Sequence, residues 1–325
     1  MKKSKIGGQA VLEGVMMKAP NKIAIAVRRS NGEIEIESKE ISSVKDKYPI
    51  LKLPVLRGIV TFGETMVLGI KSLMASAQLY GEEEEEYKPS KVESWISQKT
   101  GINIDDVMVF FALITAIGFA ILLFMIAPAL LTKFVSRAVD SNLIKSLIEG
   151  VIRLTAFIIY ILLISRMKDI KRVFQYHGAE HKTIHCYEHG QELTVENARK
   201  FTTLHPRCGT AFLLTVMIIS IVAFSFLEWN NIIVRIVTKL LLLPFIAGIS
   251  YEIIKWAGAS ESKWVNVVMY PGLMLQKLTT KEPDDEQLEV AICAFLAAMD
   301  TIEDREEVVD FEHNQSHEKS PNPVA

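Results

Sequence analysis

Two kinds of pattern alternate along the chain: short stretches that repeat every second residue, and long stretches with no charge at all. IAIAVRR and EIEIESKEI flank Asn31-Gly32 and alternate with period two. That pattern predicts a hairpin, the Asn-Gly pair supplying the two positive-φ positions of a type I′ turn. Over residues 53–79 the period becomes helical, with Arg57, Glu64 and Lys71 seven apart on an otherwise apolar surface. Such a helix can pack on the hairpin or lie along a membrane. Residues 1–80 thus predict a small N-terminal α+β unit, followed over 81–106 by an acidic linker (GEEEEEYKPS) and a pre-membrane segment.

Residues 107–131 are twenty-five positions without a charge. About 20 apolar residues suffice to cross a bilayer as a helix. Residues 147–165, 210–227 and 236–256 repeat the signal, the second span being weakened at its start by Glu149 and Arg153. The fold class that follows is mainly α: a polytopic α-helical membrane protein with about four transmembrane helices and a small N-terminal α+β cytosolic unit. Residues 107–256 form the bundle, including a cytosolic His-rich loop at 166–209. Residues 264–280 are apolar but short and interrupted by Pro271, which suits an interfacial segment. A helix follows over 284–299, with Asp284 or Asp285 as N-cap and Leu288, Ala291, Ile292 and Phe295 as its apolar face. Together these make an interfacial and helical C-terminal unit at 257–302, and the polar tail at 303–325 is expected to be disordered.

Charge sets the orientation. Residues 166–207 hold eight basic side chains (Arg166, Lys168, Lys171, Arg172, Lys182, Arg199, Lys200, Arg207), while the connection between the first two spans holds Lys133, Arg137 and Lys145. The bias places both termini and the histidine loop on the cytoplasmic side of the cell membrane. Half the residues are hydrophobic, 23% are charged, and the formal net charge is −2, which argues against nucleic acid as a partner. The lipid bilayer is the partner implied, and an oligomer is compatible with the pattern. Cys186, Cys208 and Cys293 are too few for a disulfide framework. Cys186 and Cys293 suit packed thiols. The basic N-terminus lacks the unbroken apolar run of a secretory signal.

The chemistry gathers in HGAEHKTIHCYEHG, residues 177–190, which carries His177, His181, His185 and His189 at four-residue steps. On a helix each such step advances about 40° beyond a full turn, so the first three share one face and Glu188 projects between His177 and His181. Imidazoles at i and i+4 can reach one ion. HGAEH also fits H-x-x-E-H, in which two histidines bind zinc and the glutamate acts as general base. Zn²⁺, or another divalent transition metal, is therefore the cofactor expected, on His177 and His181 with Glu180 as the catalytic base. Three sources stand open for the remaining ligand: His185, His205 with Cys208 in HPRCG, and Glu252 near the end of the fourth span. Gly178 and Gly190 count against a continuous helix. GGQ at residues 7–9 is better explained by turn glycines than by release-factor chemistry. Gln9 and Glu13, four apart among apolar residues, could bond each other in a core or approach the histidines, the former being preferred.

GGQAVLEGVMMKAP, LPVLRGIV, HGAEHKTIHCYE, HPRCGTAF, SYE and EPDDEQLEVAI, in this order over roughly residues 5–300, resemble the YqhQ-like family of bacterial membrane proteins. The resemblance implies a membrane protein and a predicted metal-dependent enzyme. Its implied site is His177, Glu180, His181, His185, His205, Cys208 and Glu252, and it names no substrate. The expected function is a metal-dependent, hydrolase-like activity at the cytoplasmic membrane face on an unknown substrate. Two alternatives stand beside it: a non-enzymatic scaffold with a structural metal, and a transporter or metal-handling protein.

Overall fold

The computed structural model describes residues 4–81, 99, 104–135, 139–206, 208–227, 231–260 and 263–299. The acidic run after Gly81 and the tail at 303–325 lie outside the described residues.

Strands β1 (Gly7–Val11), β2 (Gly14–Lys18), β3 (Lys22–Arg28) and β4 (Ile34–Glu40) form an antiparallel sheet in that order. The β3–β4 hairpin lies where the alternation places it, but its turn is not type I′. Gly32 alone of the pair has positive φ, at +90°. Its N–H donates to Arg29 O at 2.9 Å, and Asn31 Oδ1 accepts the Glu33 N–H at 3.0 Å. This is the longer hairpin loop with glycine at the left-handed position. Strands β1 and β2 extend the sheet beyond the hairpin that the alternation predicts; β2 is buried on both faces and shows no apolar–polar alternation.

The pleat sends Met16, Ile23, Ile25 and Val27 to one face, where Leu68, Ala75, Leu79 and Tyr80 of α2 (Leu56–Tyr80) cover them. A short α1 (Val44–Lys47) precedes α2. Ser76 Oγ accepts the Leu12 N–H at 3.2 Å, pinning α2 to the β1–β2 turn. Of the two placements open for this helix, packing on the sheet holds for its second half. Its first half leaves the sheet and crosses α9 (Ile232–Ala259), where a Cβ on Gly58 would lie 2.8 Å from Gly248 O.

Four helices among the described residues are long and apolar enough to cross a membrane: Leu56–Tyr80, Val107–Val135, Asn142–Ile164 and Ile232–Gly258. The set differs from the expected one, since α2 qualifies and α8 (Gly209–Ser225) is shorter at 17 residues. In the first long apolar run, α3 (Ile104–Ile121) passes through a π-turn at Leu122–Ile126 into α4 (Ala127–Val135). Large side chains such as Phe110, Ile117 and Phe119 stand exposed along it. The charges that weakened the second span turn inward. On α5 (Asn142–Ile164) buried Glu149 pairs with Arg153, Arg235 and Lys239, all buried. Further donors reach carbonyls and hydroxyls: Arg153 Nε goes to Phe124 O in the π-turn at 2.9 Å and Nη1 to Ser220 Oγ at 3.1 Å, and Arg235 Nη1 goes to Leu227 O at 2.5 Å. Ionisable groups inside apolar bundles turn inward and pair in this way.

The other face of the sheet carries Val15, Met17, Ala24 and Ala26. They pack on α6 (Lys168–Glu188) and α11 (Asp285–Ala298), with α7 (Val195–Arg199) at the edge. The small side chains of Ala24 and Ala26 let α11 lie close. Asp284 closes a capping box with Gln287, and Leu288, Ala291, Ile292 and Phe295 are the buried face, as the sequence predicts. Residues 166–209 are therefore built around a 21-residue helix rather than a loop, and they share one core with the N-terminal sheet and the C-terminal helix. Pro271 does not interrupt α10 (Lys263–Thr279).

Candidate functional site

The helix α6 runs unbroken through Gly178. A Cβ there would meet Lys281 O at 2.1 Å, so the glycine lets the segment after α10 cross the helix at contact distance. The Lys281 N–H donates to Phe174 O at 2.9 Å and holds that crossing. The helix thus gives up propensity to let the 279–282 segment bring the Thr279 carbonyl beside His177, while the Thr203 and Leu204 carbonyls reach the next histidines from a separate segment.

Those carbonyls fix the rings. His177 Nδ1 donates to Thr279 O at 2.9 Å and His181 Nδ1 to Thr203 O at 2.5 Å. A carbonyl only accepts, so both rings carry a proton on Nδ1, and in the neutral ring the lone pair then sits at Nε2. His177 Nε2 lies 3.2 Å from Cys208 Sγ, and the His177 and His181 ring centroids are 4.5 Å apart. One donor atom from each of His177, His181 and Cys208 lies within 4.8 Å of the others. Cys208 owes its place to α8, whose N-cap it forms by accepting the Thr210 N–H.

A second cluster follows one turn further along α6. His185, Glu188 and His205 are all buried, and a donor atom of each lies within 4.8 Å of the others. His185 Nε2 donates to Leu204 O at 2.9 Å, and His205 Nε2 stands 3.6 Å from Glu188 Oε2. The clusters adjoin, since the His181 and His205 rings are 5.6 Å apart. His185 and His205 thus sit together in this group and not beside Cys208. Glu188 lies with them rather than between His177 and His181. It shares their angular position on the helix but sits eleven residues beyond His177, about 16 Å along the axis.

Glu180 faces a cleft of about 530 Å³ between β1 and α6, lined also by His177, His181, His205, Cys208 and the start of α8. Glu180 is 4% exposed, and its Oε2 is buried without a hydrogen-bond partner. Burial raises its pKa above the usual carboxylate range, partly offset by His177 and the Gly8 N–H. Burial likewise lowers the pKa of His181 and of His185, so both are held neutral. Gly8 of GGQ is needed for the approach of β1: a Cβ there would lie 2.5 Å from Met16 O and 3.2 Å from Glu180 Cδ.

Glu252 belongs to neither cluster. Its carboxylate takes the Arg57 guanidinium through both oxygens and accepts the Val55 N–H. Gln9 and Glu13 point to other partners: Gln9 Nε2 donates to Gly69 O at 3.3 Å, while Glu13 pairs with Arg172 of α6 and accepts from Tyr176 OH at 3.4 Å. Cys186 is fully buried, bonds to Glu192 O at 3.3 Å, and burial pushes its thiol up to about 11. Cys293 packs half-buried against the same core. Sequence reasoning missed Gln276, because a lone glutamine in an apolar helix carries no signal. Its Oε1 accepts the His205 N–H at 2.9 Å and its Nε2 donates to His205 O at 2.8 Å.

Residues 53–301 match the model of a family described as a protein of unknown function, DUF1385. The chain is 34% identical over 294 residues to the uncharacterized protein YqhQ of Bacillus subtilis strain 168, covering 89% of this chain and 90% of that one. No solved structure matches.

Proposed function

We propose that this chain, which belongs to the DUF1385 family, is a zinc-dependent, hydrolase-like membrane protein acting at the cytoplasmic face. One observation carries the reading. Three donors that suit zinc, His177 Nε2, His181 Nε2 and Cys208 Sγ, converge beside a buried carboxylate oxygen with no partner of its own. Both imidazoles have their other nitrogen tied to a backbone carbonyl, which is how metal-binding histidines are oriented. The donors need little adjustment, because ligands at about 2.0–2.3 Å around one tetrahedral zinc stand roughly 3.3–3.7 Å apart. A zinc ion there would act as a Lewis acid and make water more acidic at neutral pH.

Glu180 would take the proton from water. Its raised pKa brings it closer to neutrality, where a general base is most effective. Three protein ligands beside a cleft favour a catalytic over a structural metal, which four protein ligands would close. The orientation rests on the eight basic residues of 166–207 flanking the apolar helices. The ion-relay alternative loses support, since Glu252 is engaged by Arg57.

The test uses the full chain purified in detergent: metal content by mass spectrometry, with complementation of a deletion strain and hydrolysis of ester and phosphodiester panels. Glu180→Gln keeps the metal and loses function, whereas His181→Ala loses both. Full complementation by Glu180→Gln with metal retained overturns the reading.

A further inference from the structure

We propose that His185, Glu188 and His205 form a second divalent-metal site, so that α6 carries a two-metal centre. The inference deepens the zinc reading, which it takes as its neighbour, and rests on separate observations.

The first is an orphaned nitrogen. His185 gives Nε2–H to Leu204 O, which leaves the lone pair on Nδ1. That atom is buried and has no hydrogen-bond partner, in a residue only 9% exposed. A buried acceptor left unmet is destabilising, and a ligand there would offset that loss.

The second is a spacing. Glu188 and His205 are each 4% exposed, and Glu188 Oε2 stands 3.6 Å from His205 Nε2. That is too long for a good N–H···O bond, whose usual limit is about 3.2 Å. It lies just beyond the edge of a tetrahedral site, about 3.3–3.5 Å between two ligands that each lie 2.0–2.1 Å from one ion.

The third is support behind the donors. Ser4 N–H donates to Glu188 Oε1 at 2.8 Å, which turns the other oxygen toward His205. Gln276, fully buried, clamps the His205 backbone from both sides. Metal ligands are commonly fixed by such outer bonds.

Two nitrogens and one carboxylate suit a borderline divalent ion such as Zn²⁺, Co²⁺ or Mn²⁺. This donor set lacks sulfur, which makes the two sites spectroscopically distinct. Cobalt at the Cys208 cluster gives a thiolate charge-transfer band, and cobalt at His185–Glu188–His205 gives only ligand-field absorption.

The full chain in detergent, stripped with chelator, is titrated with Co²⁺ alone. The expected result is about two cobalt ions per chain, with the thiolate band saturating after about one. Glu188→Gln and His185→Gln each lower the count to about one and leave the thiolate band intact, the retained band showing that the fold survives. A count near one that neither substitution changes, with the thiolate band present, overturns the second site and leaves the zinc reading standing. Bound cobalt without a thiolate band, removed by Glu188→Gln, has the opposite consequence: the second site stands and the Cys208 assignment falls. No bound cobalt overturns both.

Discussion

Replacing Gly178 by alanine sets two measurable effects against each other. In the interior of α6 alanine is favoured over glycine by roughly 0.5–1 kcal/mol, through backbone entropy alone. Against that gain, the new Cβ falls 2.1 Å from Lys281 O and 3.2 Å from the carbonyl carbon. The obstacle is backbone and not the end of a flexible side chain. It is held by the Lys281 N–H to Phe174 O bond at 2.9 Å and the Thr280 N–H to Gln276 O bond at 2.7 Å. Clearing the overlap takes a shift of about 1 Å, and overpacking of that kind costs about 1–3 kcal/mol. Weakening one backbone bond adds about 1 kcal/mol.

The net expectation is a loss of about 1–3 kcal/mol, or a Tm lower by roughly 1.5–4.5 °C in detergent at this chain length. Gly63 supplies the control: a Cβ there meets nothing within 4 Å, so Gly63→Ala keeps the helix gain without the clash and raises Tm slightly. The same shift carries Thr279 O away from His177 Nδ1, so folded Gly178→Ala also holds metal more weakly. If Gly178→Ala is as stable as Gly63→Ala, the crossing of α6 by the 279–282 segment is wrong, and the account of how the rings are oriented goes with it.

Three further outcomes are expected. Glu252→Gln leaves bound zinc unchanged while Cys208→Ser lowers it; a fall in metal content with Glu252→Gln would return that carboxylate to the site. In metal-free Glu180→Gln protein, thermal stability holds above about pH 6.5 and declines below it. The lowered pKa values of His181 and His185 mean that the unfolded chain binds the extra protons, so a Tm that rises on acidification contradicts the assignment. Glu149→Leu strands Arg153, Arg235 and Lys239 without their shared carboxylate and costs about 3–5 kcal/mol, seen as loss of monodisperse protein in detergent chromatography, whereas Lys239→Met leaves two cations on Glu149 and is milder.

How far the fold was legible depends on the environment of each element. The apolar runs are legible because their length and lack of charge show in composition alone, and β3–β4 because β4 has an exposed edge. β2 shows no apolar–polar alternation because both its faces are covered, one by α2 and the other by α6 and α11. The four-residue histidine spacing fits a helix, while Gly178 and Gly190 count against its continuity. Helical propensity is indeed poor at Gly178, but propensity yields to tertiary packing when a carbonyl needs the space a side chain would fill.

Within the site, residue types were legible and their partition was not. The four-residue spacing places His177, His181 and His185 on one stripe of α6, but a stripe has length as well as direction. Each turn rises about 5.4 Å, so two histidines one turn apart can share an ion and three over two turns strain to do so. The chain meets that limit by bringing a different partner to each level: Cys208 from the start of α8 beside His177 and His181, and His205, set by Gln276, beside His185 and Glu188. Neither partner's level can be read from its distance along the sequence, since His205 and Cys208 are three residues apart and serve different clusters. The separation arises where the 203–208 segment runs alongside α6, its Thr203 and Leu204 carbonyls binding His181 and His185. A helix and an extended segment laid side by side offer two adjacent pockets of donors, and the alternation of ring and carbonyl along that seam keeps the two histidine pairs distinct.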